Sequence, residues 1–138
     1  MKDSTWRIWS DGAARPNPGE MGLGVAILAP DRSWHKIARR AGQGTNNIAE
    51  WTATIVALTE ALRLGARRVE LYLDSELVVR QLNGDYAVKA DHLRPLYERA
   101  QELMKEFDDV WIKWTPRWNN TMADALANQA LTVEEALA

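Results

Sequence analysis

Cysteine is absent from the 138 residues, which excludes disulfides and thiolate zinc sites and leaves oxygen and imidazole as ligands for any bound metal. Histidine occurs only as His35 and His92, too far apart in sequence to form an i, i+4 metal-binding pair. No apolar run approaches the roughly 20 residues of a membrane span, and Met1 to Trp6 lack the apolar stretch of a secretion signal. Internal repeats, low-complexity tracts and Ser/Gly/Pro-rich linkers are missing too. An excess of positive charge is also lacking. Seventeen Lys and Arg stand against 19 Asp and Glu, a net charge of −2, so any binding of nucleic acid has to come from local arrangement. The expectation is a soluble, cytoplasmic, independent chain with no membrane or obligate protein partner, a monomer with one domain over residues 1–138. Its 46% hydrophobic content suffices for one core.

What is present is a clear order of elements. Thr5 to Ser10 mixes aromatic and β-branched residues and stops at Asp11-Gly12; Leu23 to Leu28 and Ser33 to Arg39 read as two more strands, with Pro30-Asp31-Arg32 turning between them. From Asn46 to Leu64, Ile48, Trp51, Ile55, Leu58 and Leu62 recur at helical spacing, and Gly65 follows as a stop signal. Val69 to Leu73 reads as a strand buried on both faces. Helices follow over Ser75 to Leu82 and His92 to Phe107, then a strand over Val110 to Trp114 and a helix over Asn120 to Leu131, which the tail from Thr132 to Ala138 can extend. The early connections suit an antiparallel meander and the later ones are long enough for crossovers, so the class is α/β with a five-stranded mixed sheet.

Four acids fall at special places in this plan: Asp11 at the end of the first strand, Glu50 early in the long helix, Asp74 ending the fourth strand, and Asp124 on the last helix. Open sheets place their ligands in the crevice at strand ends, so Asp11 and Asp74 converge there if their strands are neighbours. Glu50 and Asp124 would complete a cluster whose mutual repulsion calls for hard cations. Mg²⁺ suits such a site, because it prefers oxygen ligands and retains exchangeable waters. Two such ions can activate water on one side of a phosphodiester and stabilise the leaving oxygen on the other.

Each of these residues also has a plainer reading. Asp74 can cap the helix that follows, Asp11-Gly12 can be only a turn, and Thr45 to Asn47 only a helix start. Asn120 fits a loop-orienting or helix-starting role. Among the seven tryptophans, Trp6, Trp51 and one of Trp111 or Trp114 fall on apolar faces and are expected in the core, while Trp118 has polar neighbours and stays open as a substrate contact.

Taken together, five segments resemble the type 1 ribonuclease H family. They are Asp11-Gly12-Ala13, Asn17-Pro18-Gly19, Thr45 through Glu50, Leu73-Asp74-Ser75, and Asn120 through Asn128, in family order from about Trp6 to Leu131. The resemblance implies a ribonuclease H-like sheet of order 3-2-1-4-5 with strand 2 antiparallel and helices on both faces. It implies endonucleolytic cleavage of the RNA strand of RNA–DNA hybrids by two Mg²⁺ ions, with Mn²⁺ as substitute, leaving 5′-phosphate and 3′-hydroxyl ends. Asp11, Glu50, Asp74 and Asp124 match its catalytic, metal-binding carboxylates. Asn17, Asn46 and Asn47 match positions contacting the hybrid in its minor groove, and Thr45 one that holds a DNA-strand phosphate; such short polar side chains suit 2′-hydroxyls and base edges.

The chain departs from the family in places. Many members carry a mobile histidine before the last helix, where this chain reads Trp114 to Asn119; Arg117 offers a fixed cation for the scissile phosphate instead. The short, nearly neutral stretch from Gly84 to Asp91 replaces a basic insertion, which predicts modest hybrid affinity and a shallow salt dependence. Glu76 stands where several relatives have an RNA-contacting glutamine, and there acidity favours the first turn of a helix. Two rival functions share the fold or the composition: a two-metal resolvase or transposase core acting on DNA, and a non-catalytic nucleic-acid binding module.

Overall fold

The computed structural model describes residues 3–137, with side chains through Thr132. Five strands, β1 (Thr5–Arg15), β2 (Gly19–Leu28), β3 (Trp34–Gly44), β4 (Arg68–Leu73) and β5 (Asp109–Trp114), form one sheet of order β3-β2-β1-β4-β5. β2 is antiparallel to β1 and β3, whereas β1, β4 and β5 run parallel. Four helices accompany them: α1 (Asn46–Arg63), α2 (Glu76–Leu82), α3 (Arg94–Met104) and α4 (Thr121–Leu137). The expected α/β class, strand order and strand directions are therefore observed, and α4 extends through most of the tail.

One sheet face carries Ile8, Val25, Ile27, Val69, Leu71 and Leu73, all fully buried against Trp51, Ala57 and Leu58 of α1. Alternation along each strand puts these side chains on that face and sends their neighbours to the other. Small residues set how closely the helices approach. A Cβ on Gly12 would lie 2.2 Å from the Ala49 carbonyl oxygen of α1, and one on Gly24 would lie 2.0 Å from that of Ala123 in α4. Both glycines thus let a helix backbone rest on the sheet, α1 on one face and α4 on the other.

Three expectations need correcting. β1 does not stop at Asp11-Gly12 but runs to Arg15, because β2 keeps pairing with it as far as Arg15 opposite Glu20. β4 is buried on one face only; Glu70 and Tyr72, on the other, are partly exposed. Neither Trp111 nor Trp114 is a core residue, at 39% and 50% exposure: Trp111 lies on the face opposite Ile112, and Trp114, on the Ile112 face, stands at the open end of the strand, where its indole N–H donates to the Asp74 carbonyl oxygen at 3.3 Å. Trp51 is fully buried and Trp6 packs against the core as expected.

Candidate active site

The site begins where two strands part. β1 pairs in parallel with β4 only from Thr5 opposite Arg68 to Trp9 opposite Tyr72. Two residues further along each strand stand Asp11 and Asp74, at the mouth of the gap that opens between them. The buried Asn120 fills the base of that gap: its Nδ2 donates to the Ser10 carbonyl oxygen at 3.0 Å and to Asp74 Oδ2 at 2.9 Å. The Thr115 amide donates to the Leu73 carbonyl at 2.9 Å and ties the loop after β5 to the end of β4.

Glu50 enters from the first turns of α1, whose start is fixed by Thr45. The Thr45 hydroxyl accepts from the Ile48 amide at 3.1 Å, an N-cap. Two asparagines tie that helix start to β1 and to the turn after it. Asn17 Oδ1 accepts from the Asn46 amide at 3.0 Å, and Asn46 Oδ1 accepts from the Ala14 amide at 2.8 Å. Both side-chain carbonyls are thus engaged, which leaves each amide NH₂ as the group that can meet a ligand. Helix α2 is capped by Ser75, whose hydroxyl accepts from the Val78 amide, so Asp74 is not needed as a cap.

Asp11, Glu50 and Asp74 each offer a carboxylate oxygen within 4.8 Å of the others, a spacing that can hold a metal ion. Asp124, in the first turn of α4, lines the same open cleft of about 540 Å³ and adds its charge to the field at Asp11. Burial pushes the Asp11 carboxyl up to about 6, and the charges of Asp74 and Asp124 act in the same direction against a lowering contact from Glu50. Burial also raises the Glu50 carboxyl, helped by the adjacent Asp11 and by Asp74. Glu50 Oε2 is buried without a hydrogen-bond partner. An orphaned oxygen among crowded acids is a cluster short of positive charge, and a hard divalent cation supplies it. Two cations line the cleft among the described residues, Arg15 and Arg117; the Arg117 guanidinium stands 4.0 Å from Asp74 Oδ1 with its side chain 75% exposed.

Of the residues singled out in the sequence, the cleft brings together Asp11, Glu50, Asp74, Asp124, Asn46, Asn47 and Arg117. Asn17 and Thr45 are not among its walls but hold Asn46 and the start of α1. Trp118 stands outside it, 77% exposed in the single turn Arg117–Asn119.

Comparison with known proteins agrees with this geometry. The reverse transcriptase-like family model matches residues 10–130. Ribonuclease HI of Halobacterium salinarum is 42% identical over 122 residues, covering 88% of this chain and 61% of its own. The crystal structure of RNase H1 from that archaeon superposes with a TM-score of 0.89 at 40% identity, over 93% of this chain and 98% of the solved one. The chain belongs to the type 1 ribonuclease H family. Another of its members, LC11-RNase H1 solved in complex with an RNA/DNA hybrid, matches with a TM-score of 0.85 at 34% identity, over 96% of this chain and 99% of that one. A bifunctional protein of Mycobacterium tuberculosis is 40% identical over 90% of this chain, which spans only 35% of that relative's length.

Within this family frame, one member of the site was not legible as such. Asn120 reads in the sequence as orienting the loop or starting the helix; it is 1% exposed, and what it orients is Asp74, to which it donates. Its spacing of four residues before Asp124 was a visible signal; its reach to β4 was not.

Proposed function

We propose that this chain, as one catalytic domain over residues 1–138, hydrolyses the RNA strand of RNA–DNA hybrids endonucleolytically, leaving 5′-phosphate and 3′-hydroxyl ends. The observation that carries the reading is the buried carboxylate cluster at the β1–β4 split, with its orphaned Glu50 oxygen. Asp11, Glu50, Asp74 and Asp124 would hold Mg²⁺, or Mn²⁺ in its place, as a pair of ions with substrate bound. Such ions supply Lewis acidity toward the phosphodiester and neutralise charge on the leaving oxygen.

The chain's own residues do the rest. Asn120 holds Asp74 by one oxygen and leaves the other, 4.0 Å from the Arg117 guanidinium, toward the cleft. The packing of Gly12 and Gly24 against α1 and α4 fixes the distance of Glu50 and Asp124 from the strands. The Asn46, Asn47 and Asn17 amides would meet 2′-hydroxyls and base edges in a minor groove, the contacts by which a protein distinguishes RNA. Thr45 would hold a DNA-strand phosphate, with its hydroxyl proton free to donate while its oxygen caps α1. Arg117, exposed and only loosely paired, would contact the scissile phosphate, and Trp118 would lie along the substrate beside it. The substrate partner is the hybrid itself; the chain acts as a cytoplasmic monomer. Among the described residues no helix is long and apolar enough to cross a membrane.

A substrate panel tests the reading: strand-labelled hybrid, duplex DNA, duplex RNA, single-stranded RNA and a branched DNA junction, each with Mg²⁺ and with Mn²⁺. Cleavage of RNA in the hybrid alone, with ends that accept ligation as 5′-phosphate and 3′-hydroxyl, supports it. Cleavage of the junction or of duplex DNA replaces it with the resolvase reading, and binding without cleavage with the binding-module reading.

A further inference from the structure

Helix α4 covers only part of its sheet face. It packs chiefly on β2, with β1 and β3, and its first turns lie over Gly24. Beyond that point the same face continues, bare of any helix among the described residues. The strand register sets Trp34 of β3, Trp9 of β1 and Tyr72 of β4 on it. β5 adds Trp111 and Lys113 at its edge. Three of these rings form a row: Trp9 lies 5.7 Å from Trp34 and stacks at 5.4 Å on Tyr72, with 15° between the planes. Cations interleave with the rings. Lys113 Nζ sits 5.9 Å above Tyr72, and the Arg68 guanidinium sits 5.6 Å above Trp111. Trp34 and Trp111 are 43% and 39% exposed.

Burial accounts for only part of this: Trp9 and Tyr72 are half-buried against their neighbours, but Trp34 and Trp111 stand open on the outer face of the sheet. We propose that this open half-face binds an unpaired nucleic-acid strand, the single-stranded continuation of the hybrid, by stacking bases on the rings and pairing phosphates with the cations. The inference rests on the hybrid reading of the neighbouring cleft. Charge favours it. On a molecule of net charge −2, Arg7, Lys36, Arg68 and Lys113 gather here against Asp3, Glu70 and Asp109; Glu70 serves both Arg7 at 3.5 Å and Lys113 at 3.3 Å, and Asp109 pairs with Arg68 at 3.5 Å. A symmetric contact between two copies would press this cationic set against itself. A duplex hides its base faces, whereas an unpaired strand presents them to aromatic platforms.

Position favours it as well. Trp9 and Tyr72 precede Asp11 and Asp74 by two residues, on the same side of the same strands. A cleft of about 220 Å³ between Trp9 and Trp34 runs to Asn119, Asn120, Thr121 and Met122, the segment that leads into Asp124. At the usual spacing between strands the row from β3 to β5 spans about 19 Å, room for roughly five stacked nucleotides.

The test compares wild type with a Trp34→Ala/Trp111→Ala double variant, whose exposed positions leave the core intact; melting curves check the fold. Twelve-nucleotide single strands of DNA and of RNA are titrated with chelator present, following tryptophan fluorescence and the anisotropy of a label. In parallel, cleavage of a blunt hybrid and of one with a ten-nucleotide unpaired extension is measured in Mg²⁺. The inference predicts single-strand binding that weakens about tenfold in the variant, a lower KM for the extended hybrid in wild type only, and equal blunt-hybrid cleavage by both proteins. The DNA and RNA arms tell which strand is held. Blunt hybrid cleaved equally by both, with no preference for the extension and no single-strand binding, overturns the inference and leaves the hybrid reading standing. Single strands bound through Trp34 and Trp111 with no hybrid cleaved sustains the face and overturns the hybrid reading. A doubled mass in light scattering that reverts to monomer in the variant, without oligonucleotide binding, assigns the face to self-association and overturns the inference.

Discussion

Asp11, pushed up to about 6, and Glu50, raised beside it, make the metal-free protein sensitive to pH in a stated direction. In the fold these carboxyls hold a proton that the unfolded chain, with ordinary values near 3.8 and 4.5, has already released. Stability contributed by the bound proton is present in acid and is lost as pH rises from about 4 through about 6. For Asp11 this amounts to on the order of 3 kcal/mol. Melting curves in chelator at pH 5 and pH 7 should show wild type losing more stability between them than Asp11→Asn, and Mg²⁺ at pH 7 should restore wild type and not the variant. Equal pH profiles for the two proteins would show that no such cost is stored at Asp11. Asn120 acts through Asp74 and is a positioning residue. Asn120→Ala should lower stability by about 1–3 kcal/mol and weaken Mg²⁺ binding roughly 10- to 100-fold. If a Mg²⁺ titration of the folded variant matches wild type, Asn120 only supports the fold. The four acids were legible because acids at strand ends and early in helices are conspicuous against patterned surfaces. Asn120 was not, because its value depends on β1 and β4 parting at Trp9 and Tyr72, which no local pattern records.

At the scale of the elements, the two glycines under the helices carry the site's dimensions. Gly24→Ala would drive a methyl into the Ala123 carbonyl at 2.0 Å, so it should cost at least about 2 kcal/mol and lower hybrid cleavage more than its stability loss explains, since Asp124 moves with α4. An unchanged cleavage rate in the folded variant would detach the position of α4 from catalysis. Thr45→Ala should cost about 1 kcal/mol through loss of the α1 cap, measured by denaturant melts. Helix periods, the α1 and α2 starts and the later strands were readable from pattern and capping residues. The early strands read too short for one reason: Asp11-Gly12 and the Gly19 to Gly24 stretch look like breakers, whereas Gly12 and Gly24 permit close packing of a helix on a strand that continues through them. The exposure of Trp111 and Trp114 was hidden because β5 is an edge strand: Trp111 lies on its outer face, and Trp114 lies at its open end on the apolar face.

For the whole molecule, net charge and the absence of a basic insertion between α2 and α3 would set the mode of the proposed hybrid binding. Affinity for blunt hybrid should fall gently with salt, with a log–log slope no steeper than about −4; a slope near −8 would mean phosphate contacts that the described surface does not offer. Fold class, strand order and family were all legible from segment order, since blocks that are weak one by one become specific in sequence. The bare half of the α4 face was not, because which part of a sheet a helix leaves open is decided by docking and not by periodicity. The central claim, that the carboxylates at the β1–β4 split drive cleavage of RNA in a hybrid, is tested most directly by the rate of release of a 5′-labelled RNA fragment from hybrid in Mg²⁺, by wild type and by Asp74→Asn. The account predicts RNA cleavage that chelator abolishes and that Asp74→Asn slows by about a thousandfold or more. RNA cleaved at an undiminished rate by Asp74→Asn, or by wild type in chelator, would contradict it.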